Sequence, residues 1–460
     1  MDFGSISFLL YFLPIFFFFY AMTPKNYKNL TLIVGSAVFY TMGQPRYFFV
    51  IPLSMVINSL VGEFLEPKTK KGAKKNKQKR QKQKIRRGLR TILFVIAIIG
   101  NVSVLLFFKL SGKGLLLGLS FYTFQVISYL TDVYRGEVPA EHGFGRFIVF
   151  MGMFPKIGSG PITQYKDIRK ELRERCVNAD MIQGGLKLFI LGLSAKVLLA
   201  DRLGILWHEM QVTGYESITA KLAWIGAGAY SLKLYFDFYG YSLMAIGLGK
   251  LMGFELPENF RVPYMARNVK EFYRRWHITL GTWFKKYVYI PLGGSRKGET
   301  KTIRNLLIVW LLTGFWHGIS ANFLIWATFL CLCILLERQA EKFSLFRKLD
   351  FLPRLYLWVV IPVSWVMFAI TDLDQLQIYL TRMFGIGDAI NFNPYDWLNA
   401  LEKYGILLAV GAFAATGLVE KLYKRFGKTL LADVTLAVLF WVCVSRIEAQ
   451  GNNPFMYLNF

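Results

Sequence analysis

The chain has 460 residues, of which 54% are hydrophobic, 17% aromatic and only 18% charged; this excludes a string of soluble domains, each of which needs a charged surface. The net charge of +26 suggests a nucleic-acid binder. However, the basic residues cluster in short loops between long apolar runs, so the charge reads as membrane-surface charge and no nucleic-acid partner is expected.

The first apolar run, 3–22, follows Asp2 rather than a basic segment and has no small-residue cleavage site, so it is expected to be retained as a span. Runs 29–42 and 46–62 follow. The stretch Glu63–Arg90 carries 13 Lys and Arg against two Glu and is low-complexity Lys/Gln. It is expected to be a largely disordered cytoplasmic loop, touching anionic lipid or an acidic partner. Three crossings before it place the N-terminus outside. Run 91–110 then exits and 115–134 returns. Segment 144–160 is apolar but interrupted by Pro155, Gly158 and Gly160, with basic residues after it, which predicts a re-entrant hairpin.

Run 183–203 exits into an outer loop, 204–218, without Lys or Arg. Run 219–254 returns and is expected to break at Gly240. Residues 261–304 are basic yet contain Trp276, Trp283, Tyr287 and Tyr289, which predicts a second re-entrant or interfacial element. Runs 305–319 and 322–337 form a hairpin. Run 355–371 exits to an acidic outer loop, 372–400. Runs 403–420 and 430–446 enclose Lys421, Lys424, Arg425 and Lys428, leaving the tail, 447–460, outside. The expected fold is all-α: a polytopic membrane helix bundle of about 11–12 spans with re-entrant helices, forming one integrated domain over 1–460.

Cys176, Cys331, Cys333 and Cys443 form no C-x-x-C pair and read as small buried hydrophobes. Of four histidines, His142 and His208 fall in predicted loops near the membrane surface and read as structural. His277 sits in Arg274-Arg275-Trp276-His277, and His317 in Gly314-Phe315-Trp316-His317-Gly318 at the end of an apolar run. An ionisable residue in an apolar run points to function because burying it costs free energy. The alternative for each is a core histidine with both ring nitrogens hydrogen-bonded. No Cys/His/carboxylate cluster at ligand spacing surrounds them, so no metal is expected. G-x-S-x-G and a complete phosphate loop are absent. Gly247-Leu248-Gly249 with Gly253 lies in an apolar helix, where small residues serve close packing. Histidine remains as a general base.

A series of motifs spreads over almost the whole chain: Phe39-Tyr40 with Pro45-Arg46-Tyr47, Gly118 to Gln125, Phe154-Pro155-Lys156, Gly160-Pro161-Ile162 and Tyr235-Phe236-Asp237-Phe238. It continues through Met244 to Gly249, Pro257-Glu258-Asn259-Phe260, Glu271 to Ile278, Tyr289 to Gly294, and Phe315-Trp316-His317-Gly318. The series resembles the membrane-bound O-acyltransferase superfamily, in particular its bacterial branch of alginate and peptidoglycan O-acetyltransferase membrane subunits. Leu243 departs from the Asp often found after the Gly-Tyr-Ser, and Lys286 from a common acid.

The resemblance implies a bowl of tilted helices with a thin centre where a cytoplasmic tunnel meets an extracellular funnel. It implies that His317 is the catalytic histidine and His277 the second one. Trp276, Trp316, Gly293, Gly294, Gly318 and Asp237 are expected to shape the substrate tunnel. The implied reaction moves an acyl group, acetyl in this branch, from a cytoplasmic thioester to hydroxyls of an extracellular cell-envelope polysaccharide. Acetyl-CoA or an acyl carrier serves as co-substrate, with no permanently bound cofactor. Implied partners are the lipid bilayer, the polysaccharide acceptor, an extracellular or periplasmic SGNH-type acetyltransferase and a cytoplasmic donor protein. The implied location is the bacterial plasma membrane, with multiple passes and both termini outside. D-Alanyl transfer to teichoic acid from a carrier protein is an alternative within the class, and a transporter or flippase, or a recruiting scaffold, outside it. The ending Asn453 to Phe460 resembles a tyrosine-containing terminal motif of this branch, which implies an acyl relay through Tyr457. The competing reading is an aromatic interface anchor.

Overall fold

The computed structural model describes residues 3–43, 47, 49–67, 77–111, 116, 118–341, 351–386, 393–451 and 455. Every regular element among them is helical. Among the described residues, four helices are long and apolar enough to cross a membrane: Arg87–Leu110, Ala321–Ala340, Asp396–Ala415 and Leu430–Ala449. Shorter apolar helices occur at Ser7–Met22, Val50–Leu65 and Pro353–Ala369. Only 11% of the apolar window in Arg87–Leu110 is buried by protein. Such a surface is stable against hydrocarbon and costly against water, so the chain is a polytopic membrane helix bundle.

The described residues group into two compact units. One covers the chain up to Leu186 together with Ala245–Pro257, and the other Lys187–Met244 with the described chain from Glu258. In the first unit, a π-helical turn, Ser7–Phe12, leads into α1 (Leu13–Met22), followed by α2 (Lys28–Gly43) and α3 (Val50–Leu65). Phe8, Phe12 and Phe16 stack at four-residue spacing, 5.5 and 5.9 Å between centroids, because residues one turn apart share a helix face. Phe154 meets Phe12 and Phe16 edge-on at 5.4 and 5.2 Å.

α4 (Lys77–Leu110) corrects the expectation of a disordered loop over Glu63–Arg90: residues 77–90 are helical and continuous with the apolar span. Lys, Arg and Gln are good helix formers, and a span already helical in lipid propagates the helix backwards without a new nucleus. Arg90 secures the junction by donating from Nε to the Leu65 carbonyl, 2.9 Å, and from its guanidinium to the Tyr134 carbonyl, 3.1 Å. α5 (Leu119–Arg135) follows. Within 144–160 the backbone breaks at Met153, between α6 (Phe144–Gly152) and α7 (Phe154–Ile157). Pro155, which lacks an N–H, takes a first-turn position where none is needed. α8 (Tyr165–Arg173) closes this region. Buried Glu141, ahead of α6, accepts from Arg146, the Tyr165 hydroxyl at 2.7 Å and the Gly143 N–H at 2.8 Å.

α9 (Ala179–Ser194) runs through a π-helical segment, Ala195–Ala200, into α10 (Asp201–Thr213), so much of the expected outer loop 204–218 is helix. α11 (Ala220–Leu251) continues through Gly240, which corrects the expected break. A Cβ on Gly240 would stand 2.6 Å from the Gly192 carbonyl oxygen, and one on Gly192 2.4 Å from that of Gly240. Gly240 therefore serves close backbone approach between α9 and α11, not flexibility. The Gly247 carbonyl likewise lies 2.8 Å from a Cβ on Gly185, the packing role expected of that glycine pattern.

Residues 261–304 fold into α12 (Val269–Arg275), α13 (Ile278–Phe284), a π-helical segment Lys285–Tyr289 and the start of α14 (Glu299–His317). α15 (Ala321–Ala340), α16 (Phe351–Ala369), α17 (Leu373–Met383), α18 (Asp396–Ala415), α19 (Leu418–Phe426) and α20 (Leu430–Gln450) complete the fold. α17 occupies part of the expected outer loop 372–400. Cys331, Cys333 and Cys443 are buried, as expected, whereas Cys176 is exposed on the polar segment after α8.

Candidate active site

His277 and His317 both lie in the second unit, each with its ring near that of Trp316. The Trp316 ring centroid is 6.2 Å from that of His277 and 4.6 Å from that of His317. The intervening sequence folds as α13, α14 and the turn between them, which returns the chain to its starting point.

His277 stands between α12 and α13 with φ +46°, a left-handed conformation that is uncommon for a residue with a side chain. The strain is held by Asn259. Its carbonyl accepts from the Ile278 N–H, 2.9 Å, and its side-chain oxygen accepts from the Thr279 hydroxyl, 2.7 Å. Its Nδ2 donates to Ser242, 3.1 Å, which fixes the amide so that Oδ1 is the acceptor. His277 Nδ1 lies 3.2 Å from that oxygen. In this pairing Nδ1 carries the hydrogen, and in the neutral ring Nε2 holds the lone pair. Phe238 meets the ring edge-on at 4.7 Å, and His277 is 4% exposed.

His317 ends α14. Phe368 and Trp326 flank its ring edge-on at 5.0 and 5.1 Å, and Phe323 lies near-parallel at 6.3 Å. Asn322 sets Phe368 in place by donating to the Met367 and Phe368 carbonyls at the end of α16, 3.1 and 3.2 Å. Gly318 is required by the same packing: a Cβ there would stand 2.4 Å from the Phe323 ring. Trp276 joins this wall through Trp365, 4.9 Å, which faces Trp326 at 6.1 Å. The result is a buried cluster of aromatic rings around two imidazoles, suited to proton transfer away from bulk water.

The other predicted site residues fall elsewhere. Gly293 and Gly294, at φ +110° and +57°, make the turn before α14, which Asn305 ties by donating to the Gly294 carbonyl, 2.9 Å. About 18 Å of helix separates Asn305 from His317, so this turn lies well away from His317. Asp237 is buried on α11 and binds Lys196 at 2.7 Å, and Lys196 also binds Asp201 at 2.8 Å. Asp237 precedes Phe238, which touches His277, but faces a different set of side chains. Tyr457 lies outside the described residues. His142 is a surface residue 3.2 Å from Glu66. Asn259, Lys196 and Asp201 were not among the sequence-based candidates. Only Asn259 carried a signal, its place in Pro257-Glu258-Asn259-Phe260. Among the described residues no group of three or more His, Cys, Asp or Glu is placed to hold a metal.

Residues 137–373, which include both histidines, match MBOAT, the membrane-bound O-acyltransferase family. The chain is 34% identical to the probable alginate O-acetylase AlgI of Pseudomonas fluorescens, over 95% of this chain and 86% of that protein. It is 30% identical to the probable alginate O-acetylase AlgI of Pseudomonas putida, over the full length of both. It is also 30% identical to the peptidoglycan O-acetyltransferase of Helicobacter pylori, over 100% of this chain and 97% of the other. With a family match over more than half its length and full-length relatives at this identity, the chain belongs to the membrane-bound O-acyltransferase family.

Proposed function

We propose that this enzyme transfers an acetyl group from a cytoplasmic thioester, acetyl-CoA or an acyl carrier, to hydroxyls of an extracellular cell-envelope polysaccharide. The observation that carries the reading is a pair of buried imidazoles that share Trp316 as a neighbour, in a chain with alginate and peptidoglycan acetylases among its relatives. Loop charge supports a bacterial plasma-membrane orientation with the basic stretch inside and both termini outside. The breaks at Met153 and between α12 and α13 support re-entrant elements. An extracellular SGNH-type acetyltransferase would extend the delivery of acetyl groups to polymer.

In the proposed chemistry His317 takes the proton of the attacking hydroxyl. The oxygen attacks the thioester carbonyl, a C–O bond forms, the C–S bond breaks and the departing thiolate takes the proton back from His317. The products are an ester and a free thiol. His277 Nε2, as a lone-pair nitrogen, accepts from a donor N–H or O–H and so orients the thioester. It stabilises negative charge only when protonated. In the relay version the Tyr457 phenol is the first attacking hydroxyl. A polymer hydroxyl then displaces the phenolate, which recovers the proton, so the net reaction is the same.

The test is mass spectrometry of polysaccharide fragments incubated with the reconstituted protein and an acetyl thioester. Wild type is expected to add acetyl groups. His317→Ala and His277→Ala are expected to lower the rate by about a thousandfold or more while melting as wild type does. Near-normal acetylation by folded His317→Ala removes the catalytic assignment.

A further inference from the structure

α20 is coated with exposed apolar residues such as Leu430 and Trp441, yet Phe455, just beyond it, is 1% exposed. Gly451, at φ +76°, lies where the chain leaves α20, a conformation that glycine adopts without strain. Phe455 meets the Tyr241 ring edge-on at 5.1 Å, and Lys196 Nζ lies 4.7 Å from the Phe455 centroid. The same ammonium binds Asp237 and Asp201, so the aromatic ring covers a buried, already compensated cation. An interfacial belt residue would be half in water. This ring sits against a tyrosine and a cation that two carboxylates hold in place.

The socket adjoins the candidate active site through α11. Asp237 and Tyr241 are one turn apart and bear on Lys196 and Phe455. Phe238 and Ser242 are the next residues round the helix and bear on His277 and Asn259. One step of helix, about 100°, separates the two faces. Lys196 itself is presented by the π-helical segment Ala195–Ala200, a local widening often found at functional sites.

We infer that Phe455 is a positioning residue: it docks the chain beyond α20 into the Lys196–Asp201–Asp237–Tyr241 socket, and this docking is needed for transfer to polymer. The inference rests on the proposed acetyl transfer. It gives the tail a fixed point two residues before Tyr457 in the sequence.

The experiment uses the full chain in lipid, with Cys176→Ser and Asn459→Cys, so that a membrane-impermeant maleimide reports tail release. Phe455→Ala is expected to label about tenfold faster and to lose about tenfold or more in kcat for polymer acetylation, with KM for the thioester unchanged within about twofold. Phe455→Tyr, which keeps the ring, restores both. Unchanged labelling overturns the docking. Faster labelling with normal acetylation overturns the positioning role, and so does a parallel rise in donor KM or a lowered melting temperature that Phe455→Tyr does not repair. Tyr457→Phe separates the two ideas. If it acetylates normally while Phe455→Ala does not, the relay fails and the anchor stands; the reverse result removes the anchor and keeps the relay.

Discussion

On the proposed function, Asn259 decides which nitrogen His277 offers to a substrate. Its Oδ1 serves His277 and Thr279 together, so Asn259→Ala leaves two buried donors without their acceptor. Such a loss costs about 1–3 kcal/mol, so kcat/KM is expected to fall about ten- to hundredfold. Asn259→Asp keeps an acceptor but sets a carboxylate beside the ring, which favours the imidazolium. The acidic limb of the pH–rate profile should therefore move to higher pH, and a profile superimposable on wild type would show that His277 does not act through Nε2. His317 stood out in the sequence because an ionisable residue in an apolar run is anomalous by itself, and His277 because it follows Trp276 in an aromatic stretch expected to re-enter the membrane. Asn259 did not, since its contact to His277 spans 18 residues and a change of element. Neither did the pairing of Lys196 with Asp237, 41 residues apart, because nothing in the spacing shows which faces of α9 and α11 meet.

At the scale of elements, glycine shows where sequence reading succeeds and fails. Two glycines of α11 look alike in the sequence, but a Cβ on Gly228 would meet nothing within 4 Å, whereas one on Gly240 would meet the Gly192 carbonyl at 2.6 Å. Gly228→Ala is therefore expected to be neutral or stabilising by up to about 1 kcal/mol. Gly240→Ala should cost about 1–3 kcal/mol by forcing α9 and α11 apart, measured as thermal melting in detergent. Equal effects would mean that the close approach carries no energy. The apolar runs gave most helix positions within a few residues, since burial in lipid needs length and hydropathy, and both are written in composition. Helices outside the spans, such as α17 and residues 77–90, read as loops because they are polar, yet polar Lys, Arg and Gln favour helix once a neighbouring turn has formed.

For the whole molecule, acid stability should track one carboxylate. Burial pushes the Glu141 pKa up, but hydrogen bonds from Arg146, Tyr165 and the Gly143 N–H outweigh it and bring the pKa down to about 2. A depressed carboxylate pKa stabilises the fold fully above its ordinary value, and that contribution is lost as pH falls through the range from about 4.5 to about 2. Melting temperature should fall across that window. Glu141→Gln should melt lower at neutral pH and depend less on acid, and an unaltered slope would show that another group governs acid unfolding. The tethering of this loop was invisible in sequence, where Glu141 is one acid among 29.

α4 has 34 residues, about 51 Å of helix, whereas the hydrocarbon core takes about 30 Å. The surplus is the segment with the eight Lys and Arg of residues 77–90, so on the proposed orientation a stiff, positively charged mast stands off the cytoplasmic face. Its field reaches about 8 Å further at physiological ionic strength, which concentrates anionic solutes next to the membrane and shortens their search for it. Capture of a polyanionic thioester should then depend steeply on salt while turnover, once the donor is bound, does not. Raising the ionic strength should lift KM several-fold at constant kcat, and replacing the seven cations of residues 77–87 with Gln, Arg90 being kept for its junction contacts, should flatten that dependence.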